Sequence, residues 1–239
     1  MPSTRSLKTE ALVIGSMRLR EADRIVTLYT RERGRLSAVA KGVRRTSSRV
    51  GGRLEPLSLV HVVLYPGRSL YTITGVETIR TFQGVRDVLF RLEEGARLLE
   101  TVRRVFPEEE EHVGAFNLLV RGVSQLAAAP DRPSAARVVL ATRLKLLLVV
   151  GYLPELDSCV QCGSDEYLCG FQPSQGGVLC GDCFSGEDHD CFSLSAQGLG
   201  ALRALLDRPL AELQTVSLAG AVWGEVERAI GQTLAYHGH

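Results

Sequence analysis

A chain of 239 residues with 45% hydrophobic and 23% charged side chains can fill a proper core, in one large domain or in two to three small ones. Its longest apolar run, around Leu146 to Leu153, is broken by Gly151 and is far short of the ~20 residues of a membrane span, and "MPSTRSLKTEALVIGS" at the start has no apolar signal region, so a cytoplasmic protein is expected. The net charge of +1 hides an asymmetry: residues 1–53 carry thirteen Lys or Arg against four acids, an excess of +9, and the remainder carries −8, which points to a basic module for nucleic acid or a membrane surface joined to a more acidic part.

The first eighty residues read as short strands. "EALVIGSMR" (Glu10–Arg18) is apolar and β-branched, with Gly15 where a bent strand tolerates a missing side chain. "DRIVTLYT" (Asp23–Thr30) follows, and Gly34 turns the chain into a third strand through Leu36, Ala38 and Ala40. "LEPLSLVHVVLY" (Leu54–Tyr65) and "SLYTITGVE" (Ser69–Glu77) flank "PGR", a hairpin connection. In the fourth strand both alternating sets are largely apolar (Leu57, Leu59, Val63 and Val60, Val62, Leu64), which predicts burial on both faces. Five strands in about eighty residues suit an OB-type or an SH3-like barrel, and strand counting does not separate the two.

After Gly84 the period becomes helical. Val85, Val88, Leu89, Leu92, Ala96, Leu99, Val102 and Val105 predict one helix ending before Pro107, and a second runs from about His112 to Pro130. A third starts near Pro133, a favoured first-turn position, and is apolar nearly all round from Val138 to Val150, as a central helix would be. Ser193 or Ser195 caps a helix through Leu206, and a last helix, Leu218 to Tyr236, holds the single tryptophan, Trp223. The acidic run "PEEEE" (Pro107–Glu111) reads as a solvated helix boundary.

Between the third and fourth helices, Cys159, Cys162, Cys180 and Cys183 form two C-x₂-C knuckles seventeen residues apart. Two intervening residues let one tight turn, helped by Gly163 or Gly181, aim both sulfurs at one ion, and two such turns complete a tetrahedral Zn²⁺ shell with bonds of ~2.3 Å. Four sulfur ligands leave no position for water or substrate, so one structural zinc is expected in a ribbon spanning 157–192. Disulfides do not suit a reducing compartment. Cys169 and Cys191 fall outside the spacing and are expected to pack as small apolar groups, with either of them, or His189, the alternative to a knuckle ligand.

"KGVRRTSSRVGGR" (Lys41–Arg53) places five cations in thirteen positions without an acid. Arg31, Arg33 and Arg35 surround the Gly34 turn, and Lys41, Arg44, Arg45, Arg49 and Arg53 follow the third strand. Phosphate binding needs cationic donors along a surface, and arginine favours bidentate contacts. On a barrel these cations are expected to flank one side of a groove. Tyr29, Tyr65 and Tyr71 are the candidate base-stacking groups. Nucleic-acid binding is the resulting expectation; the alternative is a basic adaptor module that docks an acidic protein without touching DNA. No P-loop, H-E-x-x-H, G-x-S-x-G or Rossmann glycine pattern is present, so no enzyme is expected and no nucleotide.

The order of these elements resembles the RecO family of bacterial recombination mediators. The resemblance rests on "EADRIV", "TRERG", "AKGVRR", the Leu54–Pro56 element, "YPGRSL", "GYLPELDSCVQCG" and the later "CGDC", and covers essentially the whole chain. It implies an α+β multidomain protein: an N-terminal OB-fold over 1–80, then a helical domain over 81–239 carrying the four-cysteine insert. It further implies a non-enzymatic mediator that binds single- and double-stranded DNA, anneals complementary strands and helps load recombinase on DNA coated by single-stranded-DNA-binding protein (SSB). RecR is the implied partner and the bacterial nucleoid the implied setting. The region the family uses for DNA holds Lys8, Arg31, Arg33, Arg35, Lys41, Arg44, Arg45, Arg49 and Arg53. Cations such as Arg121, Arg143 or Lys145 in the helical half are unranked candidates for docking the SSB tail.

Overall fold

The computed structural model describes residues 6–19, 21–43, 51–186, 190–218 and 220–237. The chain divides into two compact units, Met1–Ala128 and Ala129–His239. Among the described residues no helix is long and apolar enough to cross a membrane.

In the first unit, β1 (Leu7–Arg18), β2 (Arg24–Thr30), β3 (Gly34–Ala40), β4 (Leu59–Tyr65) and β5 (Tyr71–Arg80) close a barrel in the order β1-β2-β3-β5-β4. Closure depends on β1 serving two neighbours. Its first half pairs with β4, from Leu7 opposite Leu64 to Leu12 opposite Leu59, and its second half pairs with β2. A register shift between Val13 and Gly15 bends the strand, as the glycine predicts. Every pairing is antiparallel except β3 with β5, where Ala38 lies beside Tyr71 in parallel. A simple five-stranded meander contains no parallel pair; this order is that of the OB-fold, which resolves the ambiguity with an SH3-like barrel.

Alternation fills the interior with Ala11, Val13, Val26, Leu28, Leu36, Ala38, Val60, Val62 and Leu64. The fourth strand departs from expectation. Val60, Val62 and Leu64 are buried, but His61 and Tyr65 are exposed and Val63 is half-buried, so β4 keeps one wet face. The strand also starts late: Gly51–Leu54 is a 3-10 turn, and Leu57 holds a left-handed backbone (φ 68°) before it.

The expected first helix is two: α1 (Gln83–Arg86) and α2 (Leu89–Val105), separated where Val88 adopts extended backbone. Period alone does not see this break, because Val85 and Val88 keep helical spacing across it. With α3 (Val113–Ala128), these helices group with the barrel, so the strand-to-helix change at Arg80 and the boundary between compact units are different positions. Arg103 of α2 donates to the Ile14 carbonyl in β1.

The acidic run is the exposed boundary between α2 and α3 that its composition predicts, and its main chain also docks on the barrel. Glu109 donates its amide to the Arg35 carbonyl (2.8 Å), Arg35 and Glu108 form a bridge, and the Glu110 backbone lies directly on Gly34. Gly34 has φ +59°, and a Cβ there would overlap the Glu110 carbonyl oxygen. Gly34→Ala therefore meets both a left-handed backbone and a collision with main chain, and is expected to cost about 2–4 kcal/mol, read as a lowered urea midpoint for the first unit.

In the second unit, α4 (Arg132–Val149), α5 (Ala196–Asp207) and α6 (Ala221–His237) pack together. Asp131 caps α4 by accepting from the Ser134 amide, and α4 is buried nearly all round, as its composition predicts. Arg143 is 8% exposed and paired with Glu227 at 2.9 Å, while Lys145 donates to the Leu206 carbonyl, so both cations serve the interior of this unit. Between α4 and α5 lies a small sheet of β6 (Leu168–Gln172), β7 (Gly177–Cys180) and β8 (Phe192–Ser193), in the order β7-β6-β8.

Of the two candidate caps for α5, Ser195 is the one used. Its hydroxyl accepts from the Gly198 amide (3.0 Å) and donates to Glu225 Oε2 (2.6 Å), and its own amide donates to the same oxygen (3.0 Å). Ser195→Ala removes the cap and one tie to α6, an expected loss of about 1–2 kcal/mol in chemical denaturation.

Candidate metal centre and nucleic-acid interface

The four cysteines converge. Their sulfurs all lie within 4.8 Å of one another, and the Sγ atoms of Cys162 and Cys180 are 3.6 Å apart. Tetrahedral bonds of ~2.3 Å place sulfurs about 3.8 Å apart, so the arrangement fits one ion. The first knuckle turns at Gly163 (φ +78°), whose amide donates to the Cys159 carbonyl (2.8 Å), while the Cys159 amide donates to Ser164 (2.7 Å). The second opens at the end of β7, where the Cys183 and Phe184 amides both donate to the Cys180 carbonyl (3.2 and 2.9 Å).

Cys159 and Cys180 are buried, Cys183 is half-buried and Cys162 is exposed. Burial alone would raise the Cys159 pKa, but amides of Cys180, Cys162 and Gln161 donate to its sulfur and bring it down to about 6. Cys183 is pushed up to about 12 by hydrogen bonding with Cys162 and then Cys180. Such opposed shifts are what closely set thiols produce: they cannot all ionise without a cation among them, and a divalent metal supplies that charge.

The ribbon's core consists of Cys159, Leu179 and Cys180, with Val160, Leu168, Cys183, Phe184 and Cys191 packed around them. Cys191 packs here as an apolar group, as its position outside the spacing predicts. Cys169 lies where the β6–β7 register shifts, half-buried and outside the four-sulfur cluster. His189 lies outside the described residues.

The basic region divides in two. Arg31, Arg33 and Arg35 surround the β2–β3 turn, whereas Lys41 leaves the far end of β3, six residue steps or about 20 Å away. Lys8 belongs to the first group: with Arg31 it lines an outer groove of about 540 Å³ that also holds His61 and the carboxylates of Glu10, Glu32 and Glu77. Arg31 pairs with Glu10 at 3.2 Å. Arg35 donates its Nε to the Phe106 carbonyl (2.9 Å) and faces Glu108 at 3.9 Å.

At the other end Lys41 is exposed, beside a turn held by the Gly42 amide donating to Asp23 (2.8 Å). Arg53 donates to the Val76 carbonyl (2.8 Å), fixing the 3-10 turn on β5. Arg44, Arg45 and Arg49 lie outside the described residues.

The aromatic candidates separate as well. Tyr29 is fully buried against Phe106, with ring centroids 5.2 Å apart, and cannot stack on a base. Tyr65 is exposed. Tyr71 is half-buried; burial and then the charge of Glu109 raise its pKa, while Arg33 acts the other way. Two further cations not assigned from sequence are exposed, Arg18 at the end of β1 and Arg68 in the β4–β5 turn. The "PGR" turn was the available signal for Arg68.

Comparison with known proteins adds the family. The model of the recombination protein O N-terminal region matches residues 3–82, and that of the recombination protein O C-terminal region matches residues 86–238. The chain is 41% identical over 207 residues to the DNA repair protein RecO of Rubrobacter xylanophilus, covering 86% of this chain and 82% of that one. It is 40% identical over 242 residues to the DNA repair protein RecO of a Nocardioides species (96% and 98%) and 31% identical over 233 residues to that of Caldanaerobacter subterraneus (98% and 93%). A closed OB barrel, a helical remainder and four converging cysteines thus coincide with matches that span nearly the whole length, and the chain belongs to the RecO family.

Proposed function

We propose that the protein is a non-enzymatic mediator of recombinational DNA repair, which binds single- and double-stranded DNA through its OB barrel and anneals complementary strands. The observation that carries this reading is the placing of cations at both ends of β3 on a five-stranded OB barrel, within a segment of net charge +9. Lys8, Arg31, Arg33 and Arg35 at one end and Lys41 and Arg53 at the other span a length that takes several nucleotides of an extended strand, and Arg44, Arg45 and Arg49 belong to the basic segment between Lys41 and Arg53. Annealing requires no bond chemistry. It requires charge neutralisation, so that two polyanions approach, and base edges left free to pair. Contacts to phosphate alone read no sequence, so binding is expected to be largely indifferent to it.

In this reading residues 1–80 form the DNA-binding domain and 81–239 the helical domain, with a zinc ribbon at 157–192. The ion is Zn²⁺ held by Cys159, Cys162, Cys180 and Cys183, and it supplies a cross-link rather than a reactive site. RecR and SSB are the partners, the recombinase is what is loaded, and the setting is the bacterial cytoplasm at the nucleoid. The test is fluorescence-monitored annealing of two complementary oligonucleotides alongside anisotropy across a salt series. Accelerated annealing with salt-dependent binding supports the mediator. Binding to acidic proteins that oligonucleotides do not compete away, with no affinity for DNA, would make the barrel an adaptor instead.

A further inference from the structure

The cations at the β2–β3 turn face a chain segment that carries four consecutive carboxylates. Glu108 to Glu111 is anchored at both ends. Phe106 is buried against Tyr29 before it, and after it His112 packs edge-on against Phe106 (5.6 Å) and bonds to Glu110 (3.0 Å). Between these anchors main chain does the docking: the Glu109 amide donates to the Arg35 carbonyl, and Glu110 lies on Gly34. Side chains are left to meet the cations. The Glu108 carboxylate faces Arg35 at 3.9 Å, and the charge of Glu109 acts on the Tyr71 hydroxyl, on which Arg33 acts in the opposite sense. Glu109 holds φ +58°, a left-handed backbone that a non-glycine residue adopts at a cost of about 1 kcal/mol or more, so the packing of this segment outweighs local preference.

A carboxylate opposite a guanidinium imitates a phosphate, but it does so with less charge and with fewer acceptors. The Glu108 side chain is 62% exposed, so it can swing away while the backbone stays docked. We propose that the Glu108–Glu111 strap is a built-in phosphate mimic: its Glu108 carboxylate occupies Arg35 at the barrel's turn, and it is displaced by the backbone of a bound nucleic acid. The strap lowers the affinity of this end of the barrel and keeps its cations from holding stray anions. This inference rests on the DNA-binding reading above.

The test compares three proteins on a labelled single-stranded oligonucleotide across a salt series: wild type; Glu108→Gln/Glu109→Gln/Glu111→Gln, which keeps every backbone contact of the strap; and a control, Glu93→Gln/Glu166→Gln/Glu212→Gln, which changes net charge equally elsewhere. Freeing one cation is expected to tighten binding by about three- to fivefold at low salt, and to steepen the logarithmic salt slope by about 0.7, the value per single-strand phosphate. The control is expected to change neither by more than about twofold. Equal gains in both variants would overturn the strap, since bulk charge would then explain the effect. A strap variant no tighter than a wild type that binds would overturn the strap and leave DNA binding standing. A wild type that does not bind would overturn both.

Discussion

Replacing Cys159 with serine is expected to empty the four-sulfur site and unfold the ribbon around it. Metal analysis should give one zinc per wild-type chain and under a tenth of that for Cys159→Ser, because losing a direct ligand weakens binding on the order of 10³-fold or more, beyond the 10- to 100-fold typical of residues that only support a ligand. Cys169→Ser should retain the full equivalent, since Cys169 lies outside the cluster. The structural consequence follows from the composition of the ribbon's core. Apart from Leu179, its buried members are the proposed ligands Cys159 and Cys180, so metal loss is expected to remove the centre of the packing rather than an attachment to it. Limited proteolysis should then cut between residues 157 and 192 in the chelated or Cys159→Ser protein and leave the wild type intact there. A variant that kept both its zinc and its protease resistance would exclude Cys159 as a ligand.

The second large effect concerns Arg44 and Arg45. Reversing both charges, Arg44→Glu with Arg45→Glu, is expected to weaken single-stranded DNA binding by about 10- to 100-fold at low salt and to flatten the salt slope by about 1.4, two phosphate contacts at ~0.7 each. The segment leaves β3 after Lys41 and Val43 and re-enters the described chain at the 3-10 turn that Arg53 ties to β5. The described barrel core is apolar throughout, and reversing charge on arginines is expected to leave it packed, so the thermal midpoint should stay within a few degrees of wild type. A variant with unchanged affinity and slope would move the strand to the Lys8, Arg31, Arg33 and Arg35 end. The two ends are separately testable because β3 holds them about 20 Å apart.

Much of this was legible from residues alone, and for a consistent reason. A strand shows in its alternation, a helix in its period and cap, and a C-x₂-C knuckle in its spacing, and each is a relation among residues close along the chain. Leu36, Ala38 and Ala40 point inward because neighbouring side chains on a strand alternate. Ser195 begins α5 because a hydroxyl at that position meets an orphan amide three residues on. The four cysteines could be paired as knuckles because their separations suit one tetrahedral ion, and the sulfurs do converge.

What the tertiary structure decided are relations between distant residues. The sequence shows Arg35 and Glu108 as two exposed charges at separate places; only the barrel's packing brings the acidic helix boundary onto the turn where Arg35 lies, and docks it there as a strap. Tyr29 reads as a stacking candidate until Phe106, seventy-seven residues later, covers it. The cations around Gly34 and beyond Lys41 read as one basic stretch until the length of β3 separates them. Composition and spacing by themselves determined that this chain builds a basic barrel, a helical part and a metal-ready ribbon. Which charges stay open to a partner was decided by tertiary contacts, because a charge's availability depends on what folding places opposite it, and no local period records that.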